Sequence, residues 1–312
     1  MNRYFREISV TVALGLVLLV MAGFAPGFYQ AQPLLSLITR EAPTLVVMCG
    51  MALIIISRQI DISVGSQFSV CSIGAGLLAA RGWPLVAVLP AAMMMGAAFG
   101  AFNGWLIAGL RLPSIVVTLA TMVMLRQGLN LLQQGAFVNL PDGVQWFGLS
   151  QTVGQWTLVA AALSLLLACG LFMRHVAAGR WVYAVGTDAE AARLAGIRPH
   201  WVTFLVFVFV GALTGLAATM NLVQSPQIQP LVGSGLELKV IAAVVVGGVA
   251  ISGGRGNVWG AFAGLLLLAC VSPALTHLHV EAYWEKAIQG MIILLAVVAD
   301  GLRQRGLKGG HG

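Results

Sequence analysis

Ten apolar runs constrain the fold of this chain more than any other feature. A helix of about 20 apolar residues crosses a bilayer, because all its backbone hydrogen bonds are made within the segment. The sequence therefore predicts an all-α polytopic membrane protein with about ten transmembrane helices. Only 9% of the residues are charged, whereas soluble domains carry about 25%, which excludes a soluble enzyme, a disordered chain and a secreted disulfide scaffold. The runs lie at roughly 8–25, 42–57, 64–80, 84–110, 113–134, 155–173, 202–222, 237–252, 257–276 and 286–300.

Basic residues are divided unequally between the two sides that ten crossings define. One side holds twelve, namely Arg3, Arg6, Arg58, Arg111, Arg174, Arg180, Arg193, Arg198, Arg255, Arg303, Arg305 and Lys308. The other side holds four, namely Arg40, Arg81, Lys239 and Lys286. Because Lys and Arg are retained in cytoplasmic loops, this distribution predicts that both termini are cytoplasmic. The basic residues form no dense patch with aromatic residues, so membrane lipid is an expected partner and nucleic acid is not.

Side chains that could carry out catalysis or bind a metal are scattered along the sequence. The four cysteines each lie inside an apolar run, with no CxxC pattern and no histidine at metal-ligand spacing. No span carries a clustered nucleophile and base, and no nucleotide-binding motif occurs. We therefore expect no catalytic residue, no metal site and no cofactor, and a membrane-embedded enzyme is not expected.

Glycines recur every fourth residue in three of the runs. They are Gly96, Gly100 and Gly104; Gly211 and Gly215; and Gly260 and Gly264. Small residues in such rows let helix backbones approach closely in lipid. The rows predict a tightly packed bundle and carry no information on a substrate.

The polar stretch 57–66 separates two apolar runs and places Arg58 and Asp61 near membrane depth. An ionisable residue there needs a partner or water. Two interpretations stay open. The stretch is either a short loop in which Asp61 or Ser63 caps the next helix, or a broken helix that faces a translocation pathway through Asp61, Ser63 and Gly65.

A second interruption, 247–256, contains five glycines in ten residues and cannot form a sturdy helix. It lacks the Lys-Ser/Thr ending of a phosphate-binding loop, and no strand precedes it. Its Ile-Ser-x-Gly pattern, with Ser252 and Gly254, repeats that of the first interruption. Paired broken segments are typical of transporters with internal repeats. The pair predicts a weak repeat of about 42–134 and 202–300 within a single domain, 1–312.

Polar side chains within the spans provide further pathway candidates. Asn103 and Gln127 lie inside the fourth and fifth apolar runs. Hydrogen bonding between helices is the alternative interpretation of both. Arg126, beside Gln127, is expected to pair with a carbonyl or carboxylate group or to extend toward the interface.

The stretch 179–198 predicts a short helix in a cytoplasmic loop. Thr187 and Glu190 match a capping box. Residues 189–194 are strong helix formers, and Gly196 can end the helix in the left-handed conformation. A plain connector needs no capped helix, whereas a docking element for a partner does.

Five stretches together resemble the permease subunit of ribose-type monosaccharide ABC importers. The stretches are Ile60–Ser66 (GGIDLSVGS-like), Asn103-Gly104 with Pro113–Leu119, Gly179–Ile197 (GRxxYAxGxxxxAAxxxGI-like), Glu237–Gly256 (ExxxIAAxxxGG…GGxG-like) and Gly290–Arg305. The resemblance runs in order over roughly 42–303. One departure is that the leading Gly-Gly of the family is Arg58-Gln59 here, so the bend of the first interruption is not carried over. In this departure the chain resembles the subgroup of permeases that handles autoinducer-2 or rhamnose.

The resemblance implies a permease of the bacterial inner membrane for a ribose- or rhamnose-like monosaccharide or autoinducer-2. It implies three protein partners: a periplasmic solute-binding protein, a second permease copy or paralogue, and cytoplasmic ATPase subunits that bind ATP and Mg. The chain itself would then be no enzyme. The residues expected to couple to the ATPase are Thr187, Asp188, Glu190, Ala191, Ala192, Arg193 and Gly196. Those expected along the pathway are Asp61, Ser63, Gly65, Asn103, Gln127, Ser252 and Gly254.

An ion-coupled secondary transporter of a small polar solute is the alternative. It would need buried carboxylates to carry the coupling ion, for which the sequence offers only Asp61 and Glu237. The capped helix of the 179–198 loop would have no role in such a transporter.

Overall fold

A computed structural model describes residues 5–24 and 26–277, together with Glu281, Trp284, 286–288, Gly290, Met291, Leu294 and Val298. The tenth apolar run is therefore described only in part. Arg3 and the basic tail that includes Arg303, Arg305 and Lys308 lie outside the described residues.

The described part of the chain is almost entirely helical. Its α-helices are α1 (Phe5–Phe24), α2 (Ala31–Ile56), α3 (Val64–Ala80), α4 (Leu85–Gly104), α5 (Ser114–Gln133), α6 (Gln151–His175), α7 (Ala177–Thr187), α8 (Ala189–Leu194), α9 (Pro199–Leu222), α10 (Leu236–Val246), α11 (Val258–Ala269) and α12 (Val271–His277). A π-helical turn, Trp105–Gly109, extends α4. Two short strands, β1 (Val138–Asn139) and β2 (Gln227–Ile228), pair antiparallel, with Val138 opposite Ile228.

Six of these helical segments are long and apolar enough to cross a membrane. They are α2, α4 with its π-helical turn, α5, α6, α9 and Val258–Thr276, whereas α3 is a shorter apolar helix. The structure confirms an all-α polytopic chain. The number of ten crossings and the cytoplasmic placement of the termini stay predictions.

Helix α2 forms the centre of the bundle. It is 26 residues long, which corresponds to about 39 Å. Its residues from Glu41 to Ile56 are all buried, and α6, α9, α10 and α11 pack around it. A helix that is apolar on every side is stable only when other helices cover it or lipid surrounds it. The helices that carry the candidate functional residues are positioned by packing around α2.

Close backbone contact joins α4 to α9. A Cβ on Gly96 would overlap the carbonyl oxygen of Gly211, and a Cβ on Gly211 would overlap that of Gly96. Gly264 is similarly close to the carbonyl of Ala243 in the pair α10 and α11. The glycine rows thus serve the tight helix packing that their spacing predicts.

Both predicted interruptions are present, between α2 and α3 and between α10 and α11. At the first, Arg58 has a φ of 64°, in the left-handed region that glycine favours. An L-residue pays about 1–2 kcal/mol for this conformation. The bend is therefore made here by an arginine at a position where the resembling family has glycine.

Candidate functional site

The elbow between α7 and α8 carries the predicted coupling residues. Asp188 is extended, with φ −157° and ψ 109°, and its Oδ1 accepts hydrogen bonds from the backbone N–H groups of Glu190 (2.9 Å) and Ala191 (3.0 Å). Asp188 is thus the N-cap of α8. The capping box of Thr187 with Glu190 is wrong, because α7 continues through Thr187, whose hydroxyl donates to the carbonyl of Tyr183 at 2.8 Å.

Helix α8 presents most of its surface to solvent. Glu190 and Arg193 form an exposed ion pair, in which Arg193 Nε donates to Glu190 Oε2 at 3.1 Å. These hydrogen bonds hold the pKa of the Glu190 carboxyl below its ordinary value. Ala192 is buried and anchors the helix, while Leu194 is 80% exposed. Gly196, with φ 83°, follows the helix in the left-handed conformation that the sequence predicts.

The elbow between α7 and α8 packs against the two interruptions, 57–66 and 247–256. The N–H of Gly254 donates to the carbonyl of Ile56, the last residue of α2, at 2.8 Å. A Cβ on Gly186 would overlap that same carbonyl. Thr187 lies against Gly254, and Arg58 lies against Gly253. Sequence reasoning identified the three segments separately but missed their contact, which depends on tertiary packing.

A buried polar network links α3, α4 and α5. Asp61 accepts hydrogen bonds from the N–H (2.8 Å) and the hydroxyl of Ser63. The Ser63 oxygen accepts from Gln67 Nε2 (2.7 Å) and Asn103 Nδ2 (2.9 Å). Thr121 completes the network by donating to Asn103 Oδ1 at 2.7 Å. Ser63 precedes α3 but makes no side-chain cap. Its hydroxyl instead bonds to Asp61, to Gln67 on α3 and to Asn103 on α4.

Two ion pairs lie within the helix bundle. Arg126 Nη2 is 3.0 Å from Glu237 Oε1, which fulfils its predicted pairing with a carboxylate. Lys239 Nζ is 2.7 Å from Glu41 Oε1. Charged groups inside a membrane protein require such partners. Gly65 packs against the Glu237 carboxylate so closely that a Cβ would overlap Oε2.

The predicted pathway residues occupy four places. Asp61, Ser63 and Asn103 share the polar network; Gly65 lies beside Glu237; Ser252 and Gly254 lie at the elbow; and Gln127 is exposed on α5, where it accepts a hydrogen bond from Asn130. Gln67 and Thr121 belong to the network but were not singled out from the sequence. Gln67 lies one helical turn after Ser63, a spacing that could have indicated it.

The residues that the structure describes contain no group of three His, Cys, Asp or Glu placed to hold a metal ion. The four cysteines are buried free thiols. The described residues thus offer helix-packing contacts, a buried polar network and an exposed elbow.

The family and the relatives that match this chain are described as transport permeases. The family described as "Branched-chain amino acid transport system / permease component" matches residues 34–297. The ribose import permease protein RbsC of Escherichia coli K12 is 31% identical, over 97% of this chain and 98% of the relative. The autoinducer 2 import system permease proteins LsrC of an Enterobacter species and of Klebsiella pneumoniae are 33% and 34% identical, each over 96% of this chain and 88% of the relative. No solved structure matches the chain.

Proposed function

The chain belongs to the family of branched-chain amino acid transport system permease components. From its similarity to ribose and autoinducer-2 import permeases, we propose which solute it carries and how the transport of that solute is driven. It is a multi-pass permease subunit of an ABC importer in the bacterial inner membrane. Its proposed substrate is a ribose- or rhamnose-like monosaccharide or autoinducer-2. A periplasmic solute-binding protein delivers the solute, and separate cytoplasmic ATPase subunits hydrolyse ATP.

One observation carries the coupling proposal, namely the seating of the elbow on the end of α2. Helix α8 is folded by its own cap and is exposed, as a docking element must be. Gly186, at the end of α7, packs on the carbonyl of Ile56, and Gly254, which contacts Thr187, donates a hydrogen bond to the same carbonyl. A force on α8 therefore reaches the central helix of the bundle directly. We assign contact with the ATPase to Asp188, Glu190, Ala191, Arg193 and Gly196, with Thr187 and Ala192 fixing the helix to the bundle.

The pathway is proposed to run past the polar network, at the interface with a second permease copy or paralogue. Asp61, Ser63 and Asn103 supply the hydrogen-bonding groups nearest the first interruption. The two interruptions contact each other at Arg58 and Gly253. That contact supports the proposed repeat, because equivalent broken segments of two halves meet near the pathway in transporters.

Ion-coupled secondary transport is not favoured. Of the carboxylates that it would require, Glu237 is bound by Arg126, and Asp61 accepts hydrogen bonds from Ser63 and Gln67. A group that must take up and release an ion would have to break these contacts at each cycle.

Uptake by proteoliposomes tests the proposal. The permease is reconstituted with the ATPase subunit and the binding protein of its importer, and ATP-dependent uptake of labelled ribose and autoinducer-2 is measured. Glu190→Lys reverses the charge on α8, and Gly196→Trp places a large side chain at φ 83°. We expect both variants to reduce uptake to background, while the affinity of the binding protein for the solute is unchanged.

The matched control is Asp142→Lys, which makes the same charge change at an exposed residue of the 135–154 loop. Its uptake should equal that of the unmodified chain. Undiminished ATP-dependent uptake by both α8 variants would refute the coupling role. Gradient-driven uptake by the permease without its ATPase would refute the importer mechanism.

A further inference from the structure

A basic cavity of about 310 Å³ opens beside the elbow. Segments from the end of α2, the π-helical turn after α4, the α7–α8 elbow and the first turn of α9 line it. Its charged and titratable lining residues are Arg58, Arg111, Arg193 and His200, and none of the described carboxylates lines it. The neighbouring carboxylate Glu190 is bound to Arg193. The cavity therefore carries an excess of positive charge.

Two of its arginines are uncompensated. Within the described part of the chain, Arg58 and Arg111 make no ion pair and no side-chain hydrogen bond. Thr203, only 6% exposed, also lines the cavity, and its hydroxyl has no hydrogen-bond partner among the described residues. The first turn of the 24-residue helix α9 adds the positive end of its dipole. These donors suit a ligand with several anionic oxygens.

The backbone around the cavity is unusual in two ways. Arg58 and Arg111 have φ values of 64° and 59°, in the left-handed region. The adjacent turn, Trp105–Gly109, is π-helical and contributes Ile107 and Ala108 to the lining. Strained φ values and π-helical turns occur preferentially at binding sites. Here the two arginines with positive φ, Arg58 and Arg111, line the same cavity.

Exposed apolar side chains adjoin these basic residues in the chain. Leu110 and Leu112, on either side of Arg111, are 53% and 43% exposed. Trp201 and Leu205, at the start of α9, are 50% and 57% exposed. The basic cavity thus lies where the apolar surface of the bundle meets its polar end. A soluble anion would contact only the basic part of this surface. A phospholipid would contact the basic part with its headgroup and the apolar part with its acyl chains.

We propose that this cavity binds the phosphate of an anionic phospholipid, whose acyl chains lie on the neighbouring apolar side chains. Arginine pairs with phosphate through parallel hydrogen bonds, and basic pockets between transmembrane helices suit anionic headgroups. The site rests on the proposed function only for its assignment to the inner leaflet.

Native mass spectrometry of the intact chain tests the proposal. The protein is released from vesicles of phosphatidylcholine mixed equally with phosphatidylglycerol, and the retained lipids are counted. We expect selective retention of phosphatidylglycerol. The double variant Arg58→Gln/Arg111→Gln should bind it about thirtyfold more weakly, since each of the two basic residues contributes about 1 kcal/mol. Arg174→Gln removes one charge from the exposed last turn of α6 and should have no effect.

A second variant, Arg58→Lys/Arg111→Lys, keeps the charge and should retain part of the selectivity, which separates a folding defect from a lost contact. Equal retention of phosphatidylglycerol by the double Gln variant and the unmodified chain would overturn the proposal. So would a rise in melting temperature with inorganic phosphate but none with phosphatidylglycerol, since the ligand would then be soluble. Loss of ATPase binding by the Gln variant in pure phosphatidylcholine would assign the arginines to the ATPase instead.

Discussion

At the scale of single residues, Asn103 shows how a polar group is accommodated inside this bundle. Its amide donates to Ser63 and accepts from Thr121, and all three side chains are buried. Every hydrogen-bonding group that loses its partner in such a place costs about 1–3 kcal/mol. The network therefore fixes α3, α4 and α5 relative to one another.

Asn103→Leu should lower the free energy of unfolding by about 1–3 kcal/mol, because the buried Thr121 hydroxyl loses its acceptor and Ser63 loses one of its three side-chain partners. Gln127→Leu, which removes an amide from the exposed face of α5, should change it by less than about 0.5 kcal/mol. Thermal unfolding of both variants in lipid nanodiscs measures the difference. Equal melting temperatures for the two variants would contradict the structural role of Asn103.

The sequence identified Asn103 because an amide stands out in an apolar run. It did not identify Thr121, because threonine is common in transmembrane helices and its partner lies on another helix. Thr187 and Asp188 illustrate a second limit. Both are good N-cap residues, and the choice between them depends on where α7 ends. That end is set by the packing of Val182 and Val185 on the core, which a local motif does not contain.

At the scale of helices, glycine rows decide which elements touch. The spacing of Gly96, Gly100 and Gly104 predicted a close contact, and α9 is the helix that makes it. The partner could not be predicted, since three runs carry the same spacing. Helix α7 was missed altogether, although Gly179, Val182 and Gly186 repeat at helical intervals and are buried on one face.

Gly96→Ala should destabilise the bundle by about 1–3 kcal/mol, because its methyl group would meet the backbone of α9. Gly128→Ala, on α5, is the matched control. No atom lies within 4 Å of the position of its added Cβ, so the variant should gain up to about 1 kcal/mol from helix propensity. Melting temperatures in detergent distinguish the two. An equal gain by Gly96→Ala would show that α4 and α9 are further apart than described here.

At the scale of the whole molecule, the helices separate the elbow from the opposite end of the bundle. Helix α6 is 25 residues long, or about 37 Å, which exceeds the roughly 30 Å of a bilayer core. Leu149 precedes α6, and α7 begins two residues after it ends. Arg58, Arg111 and Arg193, three of the basic residues that the charge distribution assigns to the inner side, line one cavity at the elbow. Hydropathy predicted this class of architecture, but it could not show that the two interruptions meet under the elbow.

Cross-linking of the assembled importer tests the central claim, that a separate ATPase acts on α8. Leu194→Cys places a thiol on the elbow and Leu149→Cys places one at the other end of α6; both side chains are exposed, at 80% and 51%. In inside-out vesicles, a short thiol cross-linker should join residue 194 to the ATPase and leave residue 149 unjoined. The account is contradicted if residue 194 fails to cross-link in a complex that transports solute, or if it reacts with a membrane-impermeant reagent only from the periplasmic side.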